Sequence, residues 1–330
     1  MKAREVYKIL KSSALIVMPL LLLSCKFVKE DTGDCKVYFE FIYDYNMEYA
    51  DSFEPQVNEA DVFLFDSDDK YLFSSHGGKE MSLDNNLYVG KYTVIAIGGL
   101  GEHFSLSDLS RRELTEGITT PDDLRLALRR TSNEVSEEFL GLWFGKTVID
   151  HRGDGTVWPV RLIKNTNRFT ISLVQIGEIV TETAGRIPYT FEIVAPEGGV
   201  YDADDEPVVE ERVTYKPYSQ QQGRDAATLS VTRINTMRLF QNRDYRFNIY
   251  DTGSGEKIWD YSLITLLSYL KPDARPDGSE LPLQEFLDRQ SEWSMVFLCK
   301  ELEKPDGSGR YMAIGVMVAD WIWWLNELDI

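Results

Sequence analysis

Histidine and cysteine are nearly missing from this chain, with three copies of each among 330 residues. His76, His103 and His151 stand beside glycine or in polar stretches, far apart in sequence. Neither a histidine-based zinc site nor imidazole acid/base chemistry is therefore expected. The GxSxG, Walker, HExxH, GxGxxG and CxxC patterns are also lacking, so no nucleophile elbow, phosphate cradle or cofactor site is expected. Abundant acid alone does not specify a hydrolase, and the chain is read as not an enzyme, with no cofactor and no metal. Asp66/Asp68/Asp69 and Asp202/Asp204/Asp205 have the oxygen density of calcium loops. They lack the glycine at position 6 and glutamate at position 12 of an EF-hand, and read as solvated turns. Arg152-Gly153-Asp154 reads as a turn as well.

Positive charge is in short supply: 35 Lys and Arg face 54 Asp and Glu, for a net charge of −19. Such a field repels nucleic acid and anionic headgroups, which excludes both as electrostatic partners. No apolar run is long enough to span a bilayer. The run Ala14 to Leu23 has ten residues and contains Pro19, whereas a spanning helix needs about 20.

What is present begins with that same run. Lys2, Arg4, Lys8 and Lys11 precede it, and it ends Leu22-Leu23-Ser24-Cys25. This is a signal peptide over residues 1–24 with a lipobox, which predicts an outer-membrane lipoprotein acylated (palmitate) at Cys25. Two or three acyl chains, at ~0.8 kcal/mol per buried methylene, make such attachment stable where one is marginal. Loss of residues 1–24 leaves 306 residues carrying −22, enough for two domains. Residues 25–34 read as a lipidated tether. Cys35 and Cys299 then remain near opposite ends of the mature chain, in a compartment that permits a disulfide. A bridge between them is one reading. A small buried thiol at Cys299, on a strand face with Met295 and Phe297, is the other.

Beyond the tether the pattern has period two. Val37, Phe39, Phe41 and Tyr43 alternate with more polar neighbours, and so do Phe169/Ile171/Leu173, Tyr189/Phe191/Ile193, Leu229/Val231/Arg233 and Tyr245/Phe247/Ile249. Val62–Phe65 and Tyr71–Phe73, joined by an acidic turn, predict a hairpin. Gly90–Gly99 predicts a buried strand bounded by glycines. Thr120-Pro121-Asp122-Asp123 with Arg129 and Arg130 predicts a short surface helix. Leu263–Leu270 and Leu283–Leu287 predict two more short helices, and strands are expected at Leu140–Ile149, Val157–Ile163, Met295–Leu298 and Ile314–Val318. The sum is a mainly β chain, two β-sandwich domains with short helical insertions, divided as 35–165 and 166–330. Trp321, Trp323 and Trp324 suit core packing, a partner or sugar surface, or an edge strand open to pairing.

Several segments together resemble the FimB/Mfa-type anchor lipoproteins of Bacteroidales fimbriae. Tyr43-Asp44-Tyr45-Asn46-Met47 with Ala50-Asp51-Ser52-Phe53 is similar to that family's opening strand and loop, and Val62–Asp66 to its second strand. Gly90–Val94 with Gly98-Gly99 also fits. Leu162–Arg168 resembles the family's domain junction, and Phe191–Asp202, with Gly199-Val200-Tyr201-Asp202, a hairpin early in its second domain. The resemblance implies two transthyretin-like sandwiches and a basal subunit that holds a fimbrial shaft to the outer membrane, limits its length and is assembled by strand exchange. Lys29, Glu30 and Asp31 resemble the surface-export signal of such lipoproteins, or form a plain solvated linker. The alternative reading is a surface lipoprotein that binds glycan or host protein.

Overall fold

The computed structural model describes residues 36–83, 87–177, 187–224, 227–303, 310–318 and 321–324. The fold is mainly β, with several packed sheets and few helices. Strand β1 (Val37–Ile42) buries Val37, Phe39 and Phe41 and half-exposes the residues between them, as a pleated strand with one core face must. It lies between β10 (Val157–Arg161), which runs parallel to it, and the antiparallel β4 (Glu80–Leu83). Facing this sheet is a second one, in the order β11 (Ile163–Lys164), β9 (Trp143–His151), β5 (Gly90–Gly98), β2 (Ala60–Phe65) and β3 (Tyr71–Gly77). β2 and β3 form the predicted hairpin. Its turn is fastened by Asp66, whose Oδ1 accepts from the backbone N–H groups of Asp68 and Lys70 at 2.9 Å each.

The second sheet is a middle layer. Along β5, Tyr92, Val94 and Ala96 pack toward β1, while Ile95 and Ile97 belong to a separate core on the opposite side. Burial on both faces explains why this strand reads as a nearly continuous apolar run. The opposite face is covered by an excursion of the chain between β5 and β9. It contains β6 (Phe104–Ser107), a single 3₁₀ turn at Pro121–Asp123, β7 (Arg125–Leu128) and β8 (Glu134–Val135). Gly99 starts the excursion at φ +85°, and a Cβ there would stand 2.1 Å from the carbonyl oxygen of Gly141, which ends it. Only glycine lets the outgoing and returning backbones touch.

The expected helix over Thr120–Arg130 is not formed. The cap exists, with the Thr120 N–H and hydroxyl both donating to Asp123 Oδ2 at 2.9 and 2.8 Å, but it closes one 3₁₀ turn. Leu124, Leu126 and Leu128 then bury every second side chain. A capping signal cannot propagate a helix through residues whose burial has period two.

The second half repeats the sandwich plan. One sheet runs β16 (Ser219–Gln221), β17 (Thr228–Met237), β12 (Thr166–Gln175), β20 (Glu292–Glu303), β21 (Arg310–Val318) and β22 (Trp321–Trp324). The other runs β19 (Lys257–Ser262), β18 (Arg246–Asp251), β13 (Tyr189–Ala195), β15 (Val213–Tyr215) and then β8 from the excursion. Phe191, Phe247 and Phe297 interlock between the sheets with ring centroids 5.4–5.9 Å apart. The predicted helices are α1 (Leu263–Ser268) and α2 (Leu283–Arg289). A further small sheet joins the halves, because β14 (Val200–Tyr201) pairs with β7, which pairs with β6. Among the described residues, no helix is long and apolar enough to cross a membrane.

Candidate assembly surface

Three features bear on what the fold can hold: the joint between the halves, the sheet edges left open, and a groove. The joint is built from charge. Arg238 Nη1 lies 2.6 Å from Asp205, its Nε lies 2.8 Å from Asp288, and all three are buried or nearly so. Asn165, at the end of the first half, donates to Asp205. Burial pushes the Asp205 carboxyl up to about 7, against the opposing pull of Arg238 and Asn165. Removing charges from water is costly, and this cluster is tolerable because each charge meets a partner.

Arg289 continues the joint. It donates to the carbonyls of Asp44 and Asn46 at 3.2 Å each. Its guanidinium lies 4.1 Å from the ring of Tyr45 and 4.4 Å from that of Tyr49, a cation–π clamp on the loop that follows β1. Glu285 aligns it at 2.7 Å and also pairs with Arg275. The Arg275 hydrogen bond, with help from Arg289, holds the Glu285 carboxyl down at about 2. Nearby, Lys164 reaches Ser291 at 3.1 Å and sits over the Trp143 ring.

A groove of about 490 Å³ opens between two sheet edges, β3 on one side and β6 on the other. Phe63, Leu100, Phe104, Leu106 and Leu114 line it, and Tyr71, Glu113 and Arg129 supply polar groups. One end of the β3 edge is already covered: the Tyr71 N–H donates to Thr119 O, and the Gly117 N–H to Tyr71 O, both at 2.8 Å. In the second half, β22 ends the six-stranded sheet, paired to β21 from Gly315↔Trp324 to Val318↔Trp321. No described strand lies on its outer side.

Of the residues singled out in the sequence, Cys25, Lys29, Glu30, Asp31 and Cys35 lie outside the described residues, as does the question of which way the side chains of Trp321, Trp323 and Trp324 pack. Cys299 is fully buried beside Met295 and Phe297, its Sγ 3.7 Å from the carbonyl of Val174, and burial pushes its thiol up to about 12. The three histidines stay on separate elements. His76 on β3 contacts Asp61 at 2.9 Å and Glu59 at 3.2 Å, and the Asp61 hydrogen bond raises its pKa. His151 is buried at the far end of β9, and His103 precedes β6. Among the described residues, no group of three or more His, Cys, Asp or Glu is placed to hold a metal ion. Asp66 and Asp202 are turn fasteners, each accepting backbone N–H groups from its own loop.

The sequence reading missed Arg238, Asp288, Arg289 and Glu197. A signal existed for Arg238, a lone charge between Met237 and Leu239, and for Glu197, between Pro196 and Gly198. Their partners come from 33 to 50 positions away, which no local pattern reveals.

A family model for the fimbrillin-A associated anchor proteins Mfa1 and Mfa2 matches residues 29–327. Among solved structures, a candidate adhesin from Bacteroides ovatus is 40% identical, with a TM-score of 0.80 and coverage of 89% of this chain and 96% of that one. A candidate polysaccharide-binding protein from Bacteroides thetaiotaomicron is 27% identical, with a TM-score of 0.71 and coverage of 90% and 100%. The fimbrial anchor protein Mfa2 from Porphyromonas gingivalis shares the fold at 16% identity, with a TM-score of 0.62 over 88% and 99%. No curated protein sequence matches.

Proposed function

The chain belongs to the fimbrillin-A associated anchor proteins, and from that premise we propose that it is the basal subunit of a fimbria, acylated at Cys25 and holding the shaft to the outer membrane. The supporting observation is β1. Assembly by strand exchange needs a sandwich that lacks a strand, whose apolar slot a neighbour fills. Here the slot in the first half is filled by the chain's own β1, with Val37, Phe39 and Phe41 at most 1% exposed, between β10 and β4. A subunit closed in this way ends a polymer rather than extending it, which accounts for a limit on fimbrial length. The shaft then joins at an open sheet edge of the second half, and β22 offers the unpaired N–H and C=O groups that strand addition uses.

The division into units 35–165 and 166–330 is part of the same proposal, with the Arg238 cluster and β14 as the fastening between them. No step requires catalysis, a cofactor or nucleic acid. Lys29, Glu30 and Asp31 serve in this reading as the surface-export signal, and Cys299 as a packed thiol rather than half of a bridge to Cys35.

Cys25→Ala in the native host tests the anchor. The expected outcome is soluble, folded protein and fimbriae shed into the medium at unregulated length. Cell-attached fimbriae of normal length would overturn it. The second reading, a glycan-binding lipoprotein, is favoured by the groove, where Tyr71 could stack on a sugar and Glu113 and Arg129 could hydrogen-bond to its hydroxyls. A glycan array that Tyr71→Ala silences would support it.

A further inference from the structure

The strand register fixes which end of the molecule meets the tether. Val37, the first residue of β1, sits opposite Leu83, the last of β4, and Tyr38 sits opposite Val157, the first of β10. In the facing sheet Gly90, the first of β5, sits opposite His151, the last of β9. β4 reaches β5, and β9 reaches β10, through links of only six and five residues, 84–89 and 152–156. The two sheets therefore end together, and one pole of the sandwich gathers the start of β1, residues 87–89 ahead of β5 and the link 152–156.

That pole is apolar where it faces out. Tyr88 is 90% exposed, Val89 70% and Val157 53%. Tyr88 is not loose, because its carbonyl accepts from the Tyr92 hydroxyl at 2.8 Å. Half-buried Leu87 and Trp158 pack beneath, against the core around β1, so the exposed residues extend that core outward. The charge there is mixed: Arg152 pairs with Asp150 at 3.0 Å, and Asp154 accepts from Thr156 in the same link.

Cys25 precedes Val37 by twelve positions, so even a fully extended tether spans only about 40 Å, and a flexible one averages about 20 Å. A surface held this close to a bilayer has an effective concentration high enough to make a weak affinity count. Tyrosine and aliphatic side chains without net charge suit the headgroup layer, where an aromatic ring has one wet edge. We propose that this pole rests on the lipid surface, seating Tyr88, Val89 and Val157 in the interfacial layer, so that the subunit stands on the membrane instead of swinging from its acyl chains. The inference rests on acylation at Cys25.

The test uses the acylated mature chain in vesicles of phosphatidylcholine and phosphatidylethanolamine, with Cys35→Ser and a nitroxide on Val89→Cys, or on Ile258→Cys as the control in the second half. Collision with dissolved oxygen and with a water-soluble nickel chelate is read by electron paramagnetic resonance. The expected result is a several-fold shift toward oxygen at position 89 on vesicle binding, and none at 258. Protein that floats with the vesicles while position 89 stays as water-accessible as 258 overturns the inference and leaves acylation standing, as does an equal shift at both positions. An immobilised label at 89 without oxygen access assigns the pole to contact with a second copy of the chain and also overturns it. If the chain fails to float, or floats equally as Cys25→Ala, the acylation reading falls and this one with it.

Discussion

Glu197 is 2% exposed, hydrogen-bonds the Tyr245 hydroxyl through one oxygen and leaves the other without a partner. Burial pushes its carboxyl up to about 7 from an ordinary 4.5. Between those values the unfolded chain ionises while the folded chain keeps its proton, so stability falls as pH rises through that window. Asp205 acts in the same direction from 3.8 to about 7. Glu285 acts oppositely, but its contribution is lost only as pH falls from 4.5 toward 2. Urea unfolding at pH 5.5 and 8 should therefore show greater stability at the lower pH. Glu197→Gln keeps a hydrogen-bonding group for Tyr245 and removes the titration. It should flatten that slope and stabilise the chain at pH 8 by ~1–3 kcal/mol. An unchanged slope would show that Glu197 is ionised in the fold.

At the scale of elements, the joint between the halves depends on Arg238 serving two acids. At pH 8, where Asp205 has lost its proton, Arg238→Met strands Asp205 and Asp288 without a countercharge, which should cost ~3–5 kcal/mol. Adding Asp205→Asn and Asp288→Asn to it should recover most of that loss in the same urea titration, because apolar or neutral replacements of a buried ion cluster are often well tolerated. If the triple variant is no better than Arg238→Met, the cluster holds the halves by shape rather than by charge balance. Most strands were legible in the sequence because a core on one face forces alternation, as in β1, β12 and β13. The segment from Leu124 to Leu128 was misread because a good N-cap at Thr120 announces a helix without sustaining one. The joint was not legible at all: Asp205 looked like one more acid in a polar turn, and nothing near it in sequence names Arg238 or Asn165 as its partners.

For the whole molecule, the lipobox could be read only from sequence and the closed slot of the first half only from coordinates. In the proposed anchor they give the chain a direction, from acyl group to β1 to joint to second half. That direction has a mechanical meaning. In the anchor proposed above, a fimbria under flow would pull on the second half, whose chain reaches the C-terminal end of β10 through β11, while the membrane would pull back through the N-terminal end of β1. These are the opposite ends of two parallel neighbours in register over five residue pairs, Tyr38↔Val157 to Ile42↔Arg161. Load along the strands meets their hydrogen bonds in shear, all at once, instead of peeling them singly. In force spectroscopy, pulling from residue 36 against the second half should need a larger rupture force than pulling β1 sideways through its C-terminal end. Phe39→Ala should lower the first force more than the second, since it loosens the strand that carries the tension, and forced unfolding follows the barrier to unfolding rather than equilibrium stability. In that anchor the strand that closes the sandwich would also be its shackle, with tension from the shaft running along the direction in which β1 is hardest to extract.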